Sequence, residues 1–488
     1  MTTVLAVDQG TTSTKALLVA PGGEVVASGS APVARSFPRP GWVEQDASEL
    51  WESVRAAVRQ LPGATPACLA VTSQRESVLA WDRRSGRPLT PVVSWQCARG
   101  AEVCAELRAA GAEQQVRELT GLPLDPMFSA PKLRWLLDAD PALRREAERG
   151  GACAGTVDSW LVWSLSGGEL HVTDAGNAAR TLLFDLHRLE WSEELAQLFE
   201  VPLACLPAVV PSCGASLGQA TALDGLPGLP IAAVTADSHA ALYGLGCTRV
   251  GTAKATYGTG TSVMSPTGGE ARASRSGLAG TVAWLADEPT YALEGNIVSS
   301  GATVDWLARV LGLADAGEVE RLAASARDTG GVHVVPAFGG LGAPWWQPDA
   351  RGRITGLTFA SGREELALAA VESIAYQVAD VVAALERDLE RPLDELRVDG
   401  GASRNDRLLQ LQADLLGCPV VRSDAADAAA VGAALLAGAA AGVWGGSPAP
   451  PAGERFEPRI DAELRRTLLG AWHSALGVAA DREEAVVR

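Results

Sequence analysis

Val4-Leu5-Ala6-Val7-Asp8-Gln9-Gly10-Thr11-Thr12-Ser13-Thr14-Lys15-Ala16-Leu17-Leu18-Val19 is the stretch on which the fold turns. Four apolar residues read as a strand that ends on a carboxylate. Asp8 to Thr14 reads as a turn-rich loop, and Lys15 to Ala20 as a second strand. Pro21-Gly22-Gly23 then turns the chain into a third strand, Glu24 to Ser28. Near the midpoint the pattern restarts. Thr252-Ala253-Lys254-Ala255-Thr256-Tyr257 leads into Gly258-Thr259-Gly260-Thr261-Ser262, again a strand entering a Gly/Thr turn. The likeness is short, and two unrelated turns would look the same. Its position favours two related lobes, 1–246 and 247–488, joined where glycines cluster at 244–252.

Around these hairpins, strands and helices alternate, so the class is α/β. Asp46 and Glu49 have the capping-box spacing and open a helix through Leu61. Cys68 to Thr72, Ser77 to Trp81 and Pro91 to Trp95 read as strands, and 128–138 and 158–166 as helices. Leu226 to Pro230 breaks the chain before a strand at Ile231 to Val234. In the second half, 302–312, 362–390, 406–416 and Ala425 to Gly442 read as helices. Leu396 to Val398 reads as a strand, 444–455 as a loop before a last helix, and Asp481 to Arg488 as a fraying tail.

The 488 residues suffice for two large cores, and 47% hydrophobic against 20% charged residues excludes disorder over most of the chain. A net charge of -17, from 41 basic and 58 acidic residues, argues against a duplex nucleic-acid partner. Only Lys15, Lys132 and Lys254 are lysines. The eight cysteines form no CxxC and no zinc-ligand spacing with histidine. The early Asp8 argues against a signal peptide, and charges and turns punctuate every apolar run, so no membrane span is expected. A cytoplasmic protein with free thiols is the expectation.

Three strand-to-turn segments expose amides where a nucleotide's phosphates could sit: Asp8 to Ser13, Gly258 to Thr261, and Asp399 to Asn405. Each alone reads as a hairpin turn. Their corresponding places in two lobes turn that reading toward a nucleotide site. Asp8, at a strand end, suits a water-bridged Mg²⁺. No GxxxxGK[ST] or early GxGxxG is present, which excludes P-loop and Rossmann sites. Arg75 and Glu76 could donate to and accept from polyol hydroxyls, or form a surface ion pair. Trp95 could wall an apolar carbon chain or pack in a core. Asp237, between a strand and a helix, could be a general base or an N-cap. His239 beside it reads as structural.

The ordered blocks AVDQGTTSTK, GWVEQD, TSQRE, WQC, GTVDSWLVW, HVTDAGNAARTLLFD, KATYGTGTS, YALEG, VVPAFGGLGAPWW, ARGRITGLT, ESIAYQ, VDGGASRND and VGAALLAG resemble the FGGY family of carbohydrate kinases, and within it the members that act on glycerol. The resemblance implies two actin-like, ribonuclease H-like lobes with the active site in the cleft between them. It implies transfer of the γ-phosphoryl group of ATP, with Mg²⁺, to a hydroxyl of a polyol or sugar, such as glycerol to glycerol 3-phosphate. It implies Asp237 as catalytic base and Asp8 as the Mg²⁺-associated carboxylate. Thr11, Thr12, Lys15, Thr259, Gly301, Gly401 and Asn405 match nucleotide contacts, as does Asp305, which stands where the family has Gln. Arg75, Glu76 and Trp95 match the polyol pocket. A homodimer or homotetramer is the assembly the resemblance allows.

Three pocket positions depart from the glycerol pattern. Met127 stands for Tyr, Ser238 for Gln and Ser262 for Phe. The pocket loses a phenol, an amide and a phenyl ring, which implies a roomier site. A larger polyol or ketose, such as erythritol, xylulose or ribulose, is therefore the alternative substrate. An actin-like, nucleotide-dependent assembly protein is the alternative of another class. The Asp237 and Arg75-Glu76 constellation argues against it, because assembly needs no polyol pocket.

Overall fold

The computed structural model describes residues 2–63, 65–226, 228–424, 427–445 and 452–477. Val4–Gln9 (β1), Ser13–Val19 (β2) and Val25–Pro32 (β3) form the expected meander. The strands run closer to the turn than the residues suggested, because Gly10 N–H closes it on the Ser13 carbonyl at 2.9 Å. The first helix, Ala47–Val58 (α1), is capped by Asp46, whose carboxylate accepts from Ser48 and Glu49 N–H. Cys68–Ser73 (β4) lies parallel to β1. An insertion follows, carrying the helices Ser129–Ala139 (α2) and Val157–Leu165 (α3). The 91–95 strand shrinks there to Val92–Val93. Cys213–Ala220 (β5) and Leu229–Ala236 (β6) complete a six-stranded sheet of order β5-β6-β4-β1-β2-β3, and Asp237–Gly244 (α4) follows.

The second half repeats the plan. Thr252–Tyr257 (β7) pairs antiparallel with Thr261–Gly268 (β8). Ala279–Leu285 (β9) and Pro289–Ile297 (β10) extend that meander. Gly301–Leu311 (α5) and the 27-residue Arg363–Leu389 (α6) precede Glu395–Gly400 (β11), which lies parallel to β7. Asp406–Leu416 (α7), Val420–Ser423 (β12), Ala428–Ala440 (α8), Gly453–Phe456 (β13) and Ala462–Leu476 (α9) follow. The sheet order is β9-β10-β8-β7-β11-β12-β13. Without the edge additions, β3-β2-β1-β4-β6 in one half equals β10-β8-β7-β11-β12 in the other, parallel and antiparallel pairs included. The echo between the two Gly/Thr turns is therefore a repeat of a whole ribonuclease H-like lobe.

Three further points differ from the sequence expectation. The 444–455 loop contains the strand β13, which pairs with β12; its residues 446–451, like the tail Asp481 to Arg488, lie outside the described residues. The helix expected from Ala425 starts at Ala428. Helix α6 is long and apolar enough to cross a membrane, but 83% of its apolar window is buried, as suits the central helix of a core.

Helix α8 does not stay with its own half. It packs on α4 and across β4, β1 and β6. The two helices correspond, each following the fifth strand of its lobe. They cross backbone to backbone: a Cβ on Gly432 would lie 1.9 Å from the Ala240 carbonyl, and one on Gly244 would lie 2.3 Å from that of Ala428. Only glycine fits such an approach. All eight cysteines are buried and unbridged.

Candidate active site

The first hairpin carries two charges at one register position, Asp8 opposite Lys15. Thr11 and Thr12 occupy its tip, half-buried and exposed. Asp8 Oδ1 is buried without a hydrogen-bond partner. Burial, reinforced by the nearby Asp237, pushes Asp8 up to about 7. Lys15 Nζ bonds Asp427 at the start of α8. Burial works against the Lys15 charge, yet that bond leaves its pKa raised. Trp95 is half-buried and no core residue. Its indole N–H donates to Thr11 Oγ1 at 3.1 Å, and its backbone N–H donates to Ser77 Oγ at 3.0 Å.

Arg75 and Glu76 follow β4 directly, at the cleft floor. Glu76 has φ +61°, a left-handed backbone that is costly for a non-glycine residue and characteristic of functional sites. The two are no surface ion pair. Arg75 holds Glu294 through both terminal nitrogens, each at 2.9 Å. Arg180 Nε bonds Glu76 Oε1 at 2.8 Å, and its NH2 lies 3.0 Å from Glu294 Oε2. The Arg180 and Glu294 side chains are both 0% exposed. Burial alone would raise Glu294, but the Arg75 and Arg180 guanidiniums hold it well below the usual carboxylate range. Because Glu294 comes from β10 and the other three from the first half, this quartet ties the lobes together beneath the cleft.

Asp237 stands over the quartet, its Oδ1 3.7 Å from Arg75 Nε. It is the first residue of α4, not its cap, and its Oδ1 accepts from Ser238 N–H at 2.6 Å. Its side chain keeps 37% exposure, open to the cleft. Burial raises its pKa, and Arg75 opposes the rise. The neighbouring His239 is fully buried, which holds it well below its ordinary pKa, as an uncharged structural residue. Met127, before α2, packs on the core of the first half, and its carbonyl accepts from the buried Lys132 Nζ. Ser238 Oγ and Ser262 Oγ meet at 3.0 Å across the lobes, and Lys254 Nζ reaches both.

On the opposite wall, the second hairpin docks onto the start of α5. Gly301 N–H donates to the Gly258 carbonyl at 3.0 Å, and Ser300 and Ala302 N–H donate to that of Thr259 at 2.9 and 3.1 Å. Thr259 is exposed at the tip, and Asp305 is exposed one turn along α5. Tyr257 lies opposite Gly400, which has φ +91° and sits so close that a Cβ would stand 2.3 Å from the Tyr257 carbonyl. Gly401 beside it is open, with nothing within 4 Å of where a Cβ would be. Asn405 Oδ1 caps α7 by accepting from Leu408 N–H at 3.1 Å. Asp8, Trp95, Arg75 and Asp237 thus line the side of the cleft that the first half provides, and the segments around Thr259 and Gly401 the side that the second half provides.

Sequence reasoning had no role for Arg180, Glu294, Lys254 or Asp427. The signal for three of them was present, since AGNAAR, YALEG and KATYGTG are among the quoted blocks. What those blocks lack is any sign that Arg180 and Glu294, far apart in the chain, share a buried oxygen-nitrogen contact.

The two halves match two successive family domains. Residues 3–244 match the N-terminal domain of the FGGY family of carbohydrate kinases, and residues 253–441 the C-terminal domain. The chain is 46% identical over 486 residues to the glycerol kinase of Alkalilimnicola ehrlichii, covering 98% of each. Among solved structures, it is similar to the Plasmodium falciparum glycerol kinase with ADP (TM-score 0.92, 30% identity, 98% of each chain). It is also similar to the xylulose kinase of Rhodospirillum rubrum (TM-score 0.85, 27% identity, 100% of each chain). A duplicated ribonuclease H-like lobe, a carboxylate over a buried Arg/Glu floor and full-length likeness to such enzymes converge: this chain belongs to the FGGY family of carbohydrate kinases and is an ATP-dependent phosphotransferase with glycerol kinase-like activity.

Proposed function

We propose that the protein transfers the γ-phosphoryl group of ATP to a terminal hydroxyl of glycerol or a close polyol, with Asp237 as general base. The observation that carries this reading is Asp237 itself: a carboxylate open to the cleft, raised by burial, 3.7 Å from Arg75 Nε, and not used as a helix cap. It would orient the attacking hydroxyl and take its proton. Arg75 and Glu76 would hold the other hydroxyls, with Trp95 and Met127 as walls. Thr11, Thr12 and Lys15 on one side, and Thr259, Gly301, Gly401 and Asn405 on the other, would hold the nucleotide. Asp305, exposed on α5, would reach it from that side.

The residues also fit Mg²⁺. Asp8 Oδ1 is a buried acceptor without a partner, and the Asp237 carboxylate is close enough to raise it, a pair of acidic groups that suits a hydrated Mg²⁺. When bound, Mg²⁺ would offset charge on the transferring phosphates. The protein would hold the two reactants in line and exclude water from the cleft. The lobe division at 246/247 is supported by the two separate sheets, with α8 returning to the first. A cytoplasmic location and a dimer or tetramer remain part of this proposal.

The test is Asp237→Asn. ADP release from MgATP with glycerol should fall by at least ~10²-fold, while ATP binding stays nearly intact. Near-normal turnover would remove Asp237 from the role. ADP release independent of any polyol would favour the assembly-protein alternative.

A further inference from the structure

A cavity of about 390 Å³ opens in the first half between the start of α1, the 83–88 turn and the end of α3. None of its lining residues belongs to the cleft. Trp51 and Trp163 give it indole surface. Two glycines in left-handed turns keep the space beside Trp163 free. A Cβ on Gly86 (φ +69°) would lie 3.1 Å from Trp163 Nε1, and one on Gly168 (φ +92°) 3.4 Å from the same ring. The 83–88 turn is fixed. Asp82 Oδ1 accepts from Ser85 N–H at 2.7 Å and from Ser85 Oγ at 2.6 Å, and Gly86 N–H bonds the Asp82 carbonyl at 2.9 Å.

That turn presents two arginines to the cavity. Arg83 donates to carbonyls alone, of Gly150 at 2.7 Å and Ala204 at 3.3 Å. Arg84 is exposed and makes no hydrogen bond or ion pair among the described residues. Asp82 feels the Arg84 charge, but its carboxylate is spent on Ser85 and does not line the cavity. In a chain with 58 acidic and 41 basic residues, walls with two arginines and no carboxylate invert the local charge. The indole N–H groups of Trp51 and Trp163 also line the space and have no partner among the described residues. They and the guanidinium can only donate, and the hydroxyls of Ser48 and Ser164 adapt to either role.

Such walls suit an anion with several acceptor oxygens. A phosphate monoester has three, and they match the arginine fork. A bare phosphate would leave most of the volume empty, since about 390 Å³ is the size of a site for a small organic molecule. We propose that this cavity is a second binding site, for a small phosphate monoester whose phosphate meets Arg84 and whose hydroxylated carbon body lies against the indoles. The site stands independently of the polyol kinase reading above.

The experiment titrates glucose 6-phosphate calorimetrically into the full chain with glycerol and MgADP already present to fill the cleft. Inorganic phosphate and glucose are the comparison ligands. One molecule should bind per chain, at least ~10-fold tighter than either comparison ligand, the scale of the contacts each lacks. Arg84→Gln should weaken binding by at least ~10-fold, as expected for a lost charge-assisted hydrogen bond. Ser48→Trp, which fills the cavity from α1, should abolish it. Both variants should keep the wild-type kcat/KM for glycerol. No binding to the wild type, or binding unchanged in both variants, overturns the inference. Equal binding of inorganic phosphate means an adventitious ion only, and equal binding of glucose denies the anionic head; either overturns it. Turnover lost together with binding would place the ligand in the cleft and overturn it as well.

Discussion

The two hairpins β1–β2 and β7–β8 share one pairing scheme, with a turn one residue shorter in the second, and carry opposite chemistry. Aligned on Gly10 and Gly258, Asp8 corresponds to Thr256, and its cross-strand partner Lys15 corresponds to Ser262. The first hairpin therefore offers charges at the position where the second offers hydroxyls. The next strand inverts this: Thr72 lies beside Asp8, and Asp399 beside Thr256. The duplicated scaffold sets where a side chain emerges, and the residue type alone decides whether that place presents a charge or a neutral hydroxyl.

The sharpest way to break the comparison is to make the first hairpin like the second. Asp8→Thr should lower MgATP-dependent turnover by about 10²–10³-fold, the scale of losing a positioned electrostatic group, while ATP binding without metal changes little. Equal loss of ATP binding with and without Mg²⁺ would deny the hairpins their division of labour. A smaller effect is expected where the halves are tied. Arg180→Met takes from the buried Glu76 its 2.8 Å partner and leaves Glu294 to Arg75 alone, and should cost about 3–5 kcal/mol of stability. Urea unfolding measures it, and a loss below about 1 kcal/mol would show the quartet to be dispensable.

The smallest effect concerns the two buried lysines, one in each half. Lys254 has three hydroxyl partners, whereas Lys132 has the Met127 carbonyl. Burial lowers Lys132 to about 7. The unfolded chain then binds a proton there that the native state lacks, from about pH 7 to the ordinary lysine range, so this group makes stability rise with pH across that window. Lys132→Met should abolish that rise. Denaturant midpoints at pH 7 and pH 9 test it, and identical pH slopes in the two proteins would mean that Lys132 stays charged.

The hairpins were legible in the sequence because each is local: a strand, a Gly/Thr turn and a second strand within sixteen residues. Asp237 was legible for the same reason, as a carboxylate between a strand and a helix. The quartet was not. Arg75 and Glu294 lie 219 positions apart, and no periodicity reports a partner at that distance. Trp95 read equally as core or wall, and its bond to Thr11 decides between them only once β1 and the 92–97 segment are folded together. The helix α8 read as a helix, but its return to the first sheet is a fact of packing, carried by Gly432 and Gly244.

That crossing has a mechanical consequence. At Gly432 and Gly244 no side chain stands between the backbones of α4 and α8, while Leu242, Leu245, Val431 and Leu435 pack in one core with the contact. Asp237 begins one helix and Asp427, with Lys15 attached, precedes the other. Seven residues separate Asp237 from Gly244, a lever of about 10 Å at the helical rise. A tilt of α4 by roughly 10° about Gly244 would carry the Asp237 end by about 2 Å, enough to take a reacting hydroxyl out of line, where even ~1 Å of misplacement is costly. A single methyl group at residue 432 would collide with the Ala240 carbonyl and push that lever, and Asp237 with it, out of place.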